Sequence, residues 1–439
     1  MGEAFITRRG SGGGGKEQKI TFNDTPMVLT KTLSNALSVG RFNMAVASDN
    51  EYISFLCGMN SSGSVVSNID IFSRSGQHYV AYWPEQWTDM AAVITNNWLI
   101  GLCGRGNDTV GTRVAMKWHM YNAIRNYGQP VNMTTVTNYD PLYGACAARF
   151  DDGIIAGGGL INSGSAYDNV WKYSFLNQNN VNNNAGYQYS RVSSSRGFAT
   201  MGQVTSTCAM MCGGVRLDTN VLFSATDIIT KGVNGSISVT SGENLSVAQY
   251  AATQANIYTQ GRTYLLVGLG LKLPESQGNL FKPPLVVPNI DVYASATVSG
   301  YQISSGKYST FTLPLGSNPI SAAALGFGDC VLYIVGYLSG VTKGYLVQLE
   351  PLRVTTINFN FKRTAFTAGV IGNDVGFLAG GIKNGDYSRD VEVIQLLRNV
   401  PIYPGMKYKV GSMASEETSD ILTLHPLNDE IKLSGYMKL

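Results

Sequence analysis

The sequence predicts an all-β ring of repeated blades, a β-propeller, on three observations. One phrase recurs about seven times, at intervals of about 45 to 70 residues: a small or apolar strand, a short turn, then a hydrophobic strand ending in glycine. It reads FLCGMN at Phe55–Asn60, GLCGRG at Gly101–Gly106, IAGGG at Ile155–Gly159, MMCGG at Met210–Gly214, LLVGLG at Leu265–Gly270, YIVGY at Tyr333–Tyr337 and FLAGG at Phe377–Gly381. Recurrence at a fixed order marks a stacked architecture, because one unit cannot bury its own apolar faces. The second strands are nearly continuous apolar runs, as in Val331–Val335, which means burial on both faces. The first strands are small, as at Ala45–Ala47 and Ala322–Ala324, and suit the crowded centre of a ring. A β-sandwich also alternates, but does not explain this repeated order.

The elements follow in chain order. Residues 1–18 read as an N-terminal docking arm. Phe5 and Ile6 are apolar anchors, Arg8 and Arg9 supply charge, and the glycine run cannot hold a fixed backbone unaided. Residues 19–400 read as the propeller. In the first repeat, strand candidates fall near Phe42–Ala47, Tyr52–Cys57, Asn68–Ser73 and His78–Trp83, four antiparallel strands being one blade. Turn residues separate the first and second strands at Ser48–Asn50, Asp151–Gly153, Gly326–Asp329 and Gly372–Asp374. The expected whole is seven four-stranded blades. Residues 401–439 alternate like short strands and either close the ring or form an add-on.

Composition limits the function. With 44% hydrophobic and 14% charged residues, the chain can bury a large core under a surface rich in Asn and Ser. A net charge of +3 leaves no electrostatic footprint for nucleic acid, and no apolar run approaches membrane-span length. Cys57, Cys103, Cys146, Cys208, Cys212 and Cys330 lie in or beside apolar strands and read as buried free thiols, suited to a reducing cytoplasm. No metal or other cofactor is expected, since His78, His119 and His425 are scattered. Asp151 and Asp152 read as a solvated turn rather than an acid–base pair. No nucleophile elbow, P-loop or zinc-protease motif occurs, so the expectation is a protein without catalytic activity.

The repeats resemble those of kelch-type propellers, with an arginine before the first strand, Gly-Gly after the second and a third strand like SNIDIF or DNVWKYSF. The match rests on Arg41 with Gly58 and Asn68–Phe72, Arg196 with Gly213–Gly214, Gly157–Gly159 with Asn169–Phe175, and Arg363 with Gly380–Gly381. Several repeats have a single glycine, most lack the repeat's tryptophan, and an insertion lies near Leu271–Pro288. Arg41, Arg196 and Arg363 share one repeat position. Either they meet an acidic ligand at the mouth of the ring, or they satisfy buried carbonyls between blades. Trp83 and Trp87, flanking Pro84, are candidate sugar-stacking platforms, whereas Trp98 and Trp171 read as packing.

The leader GEAFITRRGSGGGGK is similar to the start of tail or minor structural proteins of phages of Gram-positive bacteria. That resemblance implies a structural component of a virion or tail-like particle, present in several copies and assembled in the host cytoplasm. The arm is expected to bind other particle proteins and the ring to face a protein or a host cell-surface glycan. A free-standing carbohydrate-binding or interaction propeller is the alternative, and a glycan-active enzyme comes third.

Overall fold

A computed structural model describes residues 4–6, 18–22, 26–107, 115–128, 131–133, 142–150, 153–163, 165–166, 169–174, 188–232, 236–273, 284–295, 303–398, 401–402, 408–410, 421–426 and 433–436. It contains seven four-stranded antiparallel sheets, each running from an inner to an outer strand. The inner strands are Ala45–Ser48, Ala91–Thr95, Cys146–Phe150, Thr200–Thr205, Thr253–Thr259, Pro319–Gly326 and Thr367–Ile371. Each packs against the next, and the last returns to the first, so the sheets close a ring of seven blades. Among the described residues the one helix is the short Met120–Ala123, too short to cross a membrane.

The apolar second strands sit where burial is complete. Gly153–Gly157, Cys208–Cys212, Cys330–Tyr337 and Val375–Ala379 are buried at every position. Neighbouring blades share cores across their faces: Leu266 and Tyr264 of the fifth blade cluster with Tyr333 and Val335 of the sixth. Burial on both faces selects continuous apolar sequence in these strands, where a one-sided sheet selects alternation.

The ring closes through the N-terminal side of the chain. Met27–Leu33 is the outer strand of the seventh blade and pairs antiparallel with Val391–Leu397, from Met27 opposite Leu397 to Leu33 opposite Val391. The last blade therefore joins both ends of the propeller sequence, and the C-terminal stretch does not provide the closure. Strands Tyr408–Val410, Ile421–Pro426 and Leu433–Tyr436 form a separate three-stranded sheet. In the arm, Ala4–Ile6, which holds Phe5 and Ile6, pairs with Gln18–Phe22, and that strand pairs in turn with Pro401–Ile402. Arg8 and Arg9 lie outside the described residues.

All six cysteines are free and buried. Burial pushes the thiols of Cys57, Cys103, Cys146 and Cys330 up to about 12, so little thiolate exists at neutral pH. An aromatic-disulfide reagent should therefore label almost none of them in the native protein and all six in denaturant. Truncation tests the closure. Removing residues 1–25 should leave the ring's melting within about 2 °C of the full chain, whereas removal through Leu33 should lower it by about 5 °C or more, because the seventh blade loses its outer strand.

Candidate functional site: the two ends of the axial channel

The blades carry two kinds of loop to opposite ends of the ring. One end, the glycine face, holds the residues that follow each second strand and those that lead into each first strand. The other, the turn face, holds the turns between first and second strands.

Arg41, Arg196 and Arg363 belong to the glycine face, but they lie inside the blades, at most 1% exposed. Arg41 Nη2 pairs with Asp70 at 2.8 Å, Arg196 Nη2 with Asp227 at 2.5 Å and Arg363 Nη2 with Glu392 at 2.5 Å. Each carboxylate sits in the third strand of its own blade. The guanidinium groups also donate to main-chain carbonyls: Arg41 to Val39 and Phe55, Arg196 to Ser194 and Met211, Arg363 to Asp390 and Gly380. The ligand-binding expectation for these three arginines is thereby corrected. Their charge is consumed within the blade, where a ligand from solvent does not reach it.

The backbone at the same position joins neighbouring blades. The amide of the second glycine in each pair donates to it: Gly381 to Arg41 O at 2.9 Å, Gly159 to Arg196 O at 3.0 Å and Gly214 to Gln249 O at 2.8 Å. Gly58 donates likewise to Trp87 O at 3.1 Å. Glycine is required here. Gly58 has φ 100°, and a Cβ on it would lie 2.5 Å from the Phe42 carbonyl oxygen. Arg363 O instead accepts from Thr342 Oγ1 at 3.0 Å.

The acidic partners were legible but unread. Asp70, Asp227, Asp291 and Glu392 are the single acids of their third strands, each flanked on both sides or on one side by an apolar residue. Ser38, Ser193 and Ser246 stand three residues before Arg41, Arg196 and Gln249, and each bonds the matching carboxylate through its amide and hydroxyl. In the fifth blade Gln249 replaces the arginine. Lys307 of the outer strand then stands 3.4 Å from Asp291. The buried acid keeps a cation, drawn from the other side of the sheet.

Trp83 and Trp87 are 2% exposed, with ring centroids 6.0 Å apart. They pack in the core shared by the first two blades, so they are not sugar platforms. Trp98 packs its ring edge against His119, and the side chain of Trp171 lies outside the described residues. His78 bonds Asp70 at 2.8 Å. Among the described residues no cluster of His, Cys, Asp and Glu could hold a metal.

What the glycine face does present is an arc across five blades. The residues leading into the first strands adopt left-handed backbone at Asn43, Asp89, Gly144, Phe198, Ala251 and Ala365. Ala251 itself lines the channel, and Asn43, Ala251 and Ala365 directly precede the channel-lining Met44, Ala252 and Phe366. Asp89 accepts from Asn43 at 2.6 Å and from Arg105 at 2.5 Å. The Arg105 guanidinium lies 4.8 Å from the centre of the Tyr143 ring. Tyr143 meets Phe198 edge-on at 6.0 Å, and Phe198 meets Tyr250 at 6.5 Å. Asn43 is exposed, Asp89, Arg105, Phe198 and Tyr250 are half-buried, and Tyr143 is buried. Sequence reading passed over these residues. Arg105 follows a second strand, inside the repeat phrase GLCGRG, at a place where the other repeats carry no arginine. The others share a different signal, the position just before a first strand.

No protein-family model matches this chain, and no curated protein matches it. Among solved structures it is similar to that of YjhT, with TM-score 0.51 and 10% sequence identity over 74% of this chain and 99% of that one. Likeness at that identity shows the β-propeller fold alone.

The buried ion pairs fix two expectations. Arg196→Met should cost about 3–5 kcal/mol in urea unfolding, since it leaves Asp227 charged and uncompensated in the core. Asp70 should make stability depend on acid. Burial raises its pKa, but bonds from His78, Arg41 and Ser38 outweigh that and hold the carboxyl below its ordinary value. Its stabilisation is full above the unfolded carboxyl's pKa of about 4 and is lost as pH falls through the lower folded value. The stability gap between the wild type and Asp70→Asn, large at pH 7, should shrink at pH 2.

Proposed function

We propose that this chain is a kelch-like, non-enzymatic interaction propeller, the component of a phage or phage-tail-like particle that offers its glycine face to a protein or a host-surface glycan. The arc from Asn43 to Tyr250 carries this reading. It sets a charged and amide-bearing half beside an aromatic half, on rigid strand ends around one mouth. Side chains of that kind recognise a polyhydroxylated or mixed polar surface: the rings offer apolar faces and the Asp89–Arg105–Asn43 set offers directed donors and acceptors. The buried use of the repeat arginines supports a scaffold role for the motif residues and leaves recognition to the loops. The phage part of the reading is supported by the resemblance of the N-terminal leader, and attachment is assigned to the arm.

Two variants of the full chain separate attachment from recognition. Deletion of residues 1–18 should give a folded ring that no longer co-purifies with particles of the producing strain. Arg105→Ala combined with Tyr250→Ala should enter particles normally yet reduce binding to host cells or their extracted surface glycans by about tenfold or more. Normal incorporation of the deletion variant would refute the arm's role. Unchanged host binding by the double variant would refute the arc's.

A further inference from the structure

The axial channel itself carries one charge that pairs with no described residue, and it lies at the turn face, away from the arc. The cavity measures about 800 Å³ and is walled by inner strands from six blades, largely alanine, glycine and threonine. Two charged side chains line it, Asp49 and Arg149. Asp49 is committed: its Oδ1 accepts from the amides of Glu51 at 2.8 Å and Tyr52 at 2.7 Å, fixing the first turn. Arg149 is different. It lies near the end of the inner strand Cys146–Phe150, paired opposite Ile154, and its side chain is exposed. It makes no hydrogen bond or ion pair with any described residue, whereas Arg41, Arg74, Arg105, Arg196, Arg216, Arg363 and Arg398 all have acidic partners. Asp151 and Asp152, the next acids along the chain, lie outside the described residues. Around the same end of the channel stand the amides of Asn50, Gln203, Asn256 and Asn373. Asn256 spends its Nδ2 on the Gln203 carbonyl and keeps its Oδ1.

We infer that this end of the channel is a binding site for a small monocarboxylate with a neutral, hydrogen-bonding body. One guanidinium matches one carboxylate, since the planar fork takes both oxygens. The neutral amides suit hydroxyl or amide groups and offer no second cation for a dianion. The small residues of the wall leave the room. The site is independent of the glycine-face reading and of the particle assignment.

Calorimetric titration of the full chain tests it with four probes: glucuronate, its neutral counterpart glucose, N-acetylalanine and its neutral amide. The expected result is saturable binding of at least one acid, with its neutral counterpart weaker by about tenfold or more. Arg149→Gln should weaken that acid by the same factor with melting unchanged, because the exposed side chain bonds no described residue. Arg149→Lys should recover part of the binding. Control substitution of Arg353, on the exposed outer strand Leu352–Asn358 of the sixth blade, should have no effect. Preference for glucuronate would make the body sugar-like, and preference for N-acetylalanine would make it peptide-like. Absence of binding by both acids, equal binding of acid and neutral partner, or binding that survives Arg149→Gln would each overturn the inference.

Discussion

The joint between one blade's terminal glycine and the next blade's leading carbonyl is the interaction on which this ring depends. A propeller has no strand ladder running from blade to blade, so angular register must come from packing and from a few fixed bonds. Here the glycine amide supplies such a bond, and left-handed backbone points it across the gap. The residue that accepts it is held by its own side chain. In the first and fourth blades that side chain is a buried arginine, anchored to its blade by a carboxylate and two carbonyls; Arg363 of the seventh blade is anchored in the same way, but its carbonyl accepts from Thr342. Arginine suits the role because its five donors serve several acceptors at once and its charge is weakly hydrated compared with lysine.

The cost of this design is two desolvated charges in each of the three blades that carry the arginine pair, and the design contains its own compensation. Each carboxylate accepts several bonds, and where the arginine is absent, at Gln249, a lysine from the outer strand stands in. A buried ion pair of this kind adds little net stability over an apolar pair, but losing one member is costly. It specifies the geometry of the blade end, where a hydrophobic contact would allow sliding.

The propeller was legible because its signals are local. Strand, turn, apolar strand and glycine recur along the chain, and both-face burial leaves its mark on Val331–Val335 and Cys208–Cys212. The site was less legible because its determinants are distant in sequence. Arg41 could be placed in a repeat, but its fate depends on Asp70, 29 residues on by their numbers, and on Ser38. Trp83 and Trp87 flank a proline as a surface loop does, yet Gly101 and Gly104 of the next blade leave them space to bury. Closure by Met27–Leu33 carried no glycine signature, since an outer strand makes no inner turn. The arc of Asn43, Asp89, Arg105, Tyr143, Phe198 and Tyr250 exists only once the ring has curved, so no single repeat displays it.

Native-state hydrogen exchange at Gly58, Gly159, Gly214 and Gly381 tests the inter-blade joint most directly. These amides lie in loops, where exchange is ordinarily fast. If they hold the blades in register, they should exchange only with global unfolding, as slowly as the buried second strands Cys208–Cys212 and Val375–Ala379. Exchange at the rate of nearby exposed turns would show that the bonds open freely, and that something other than this joint sets the ring.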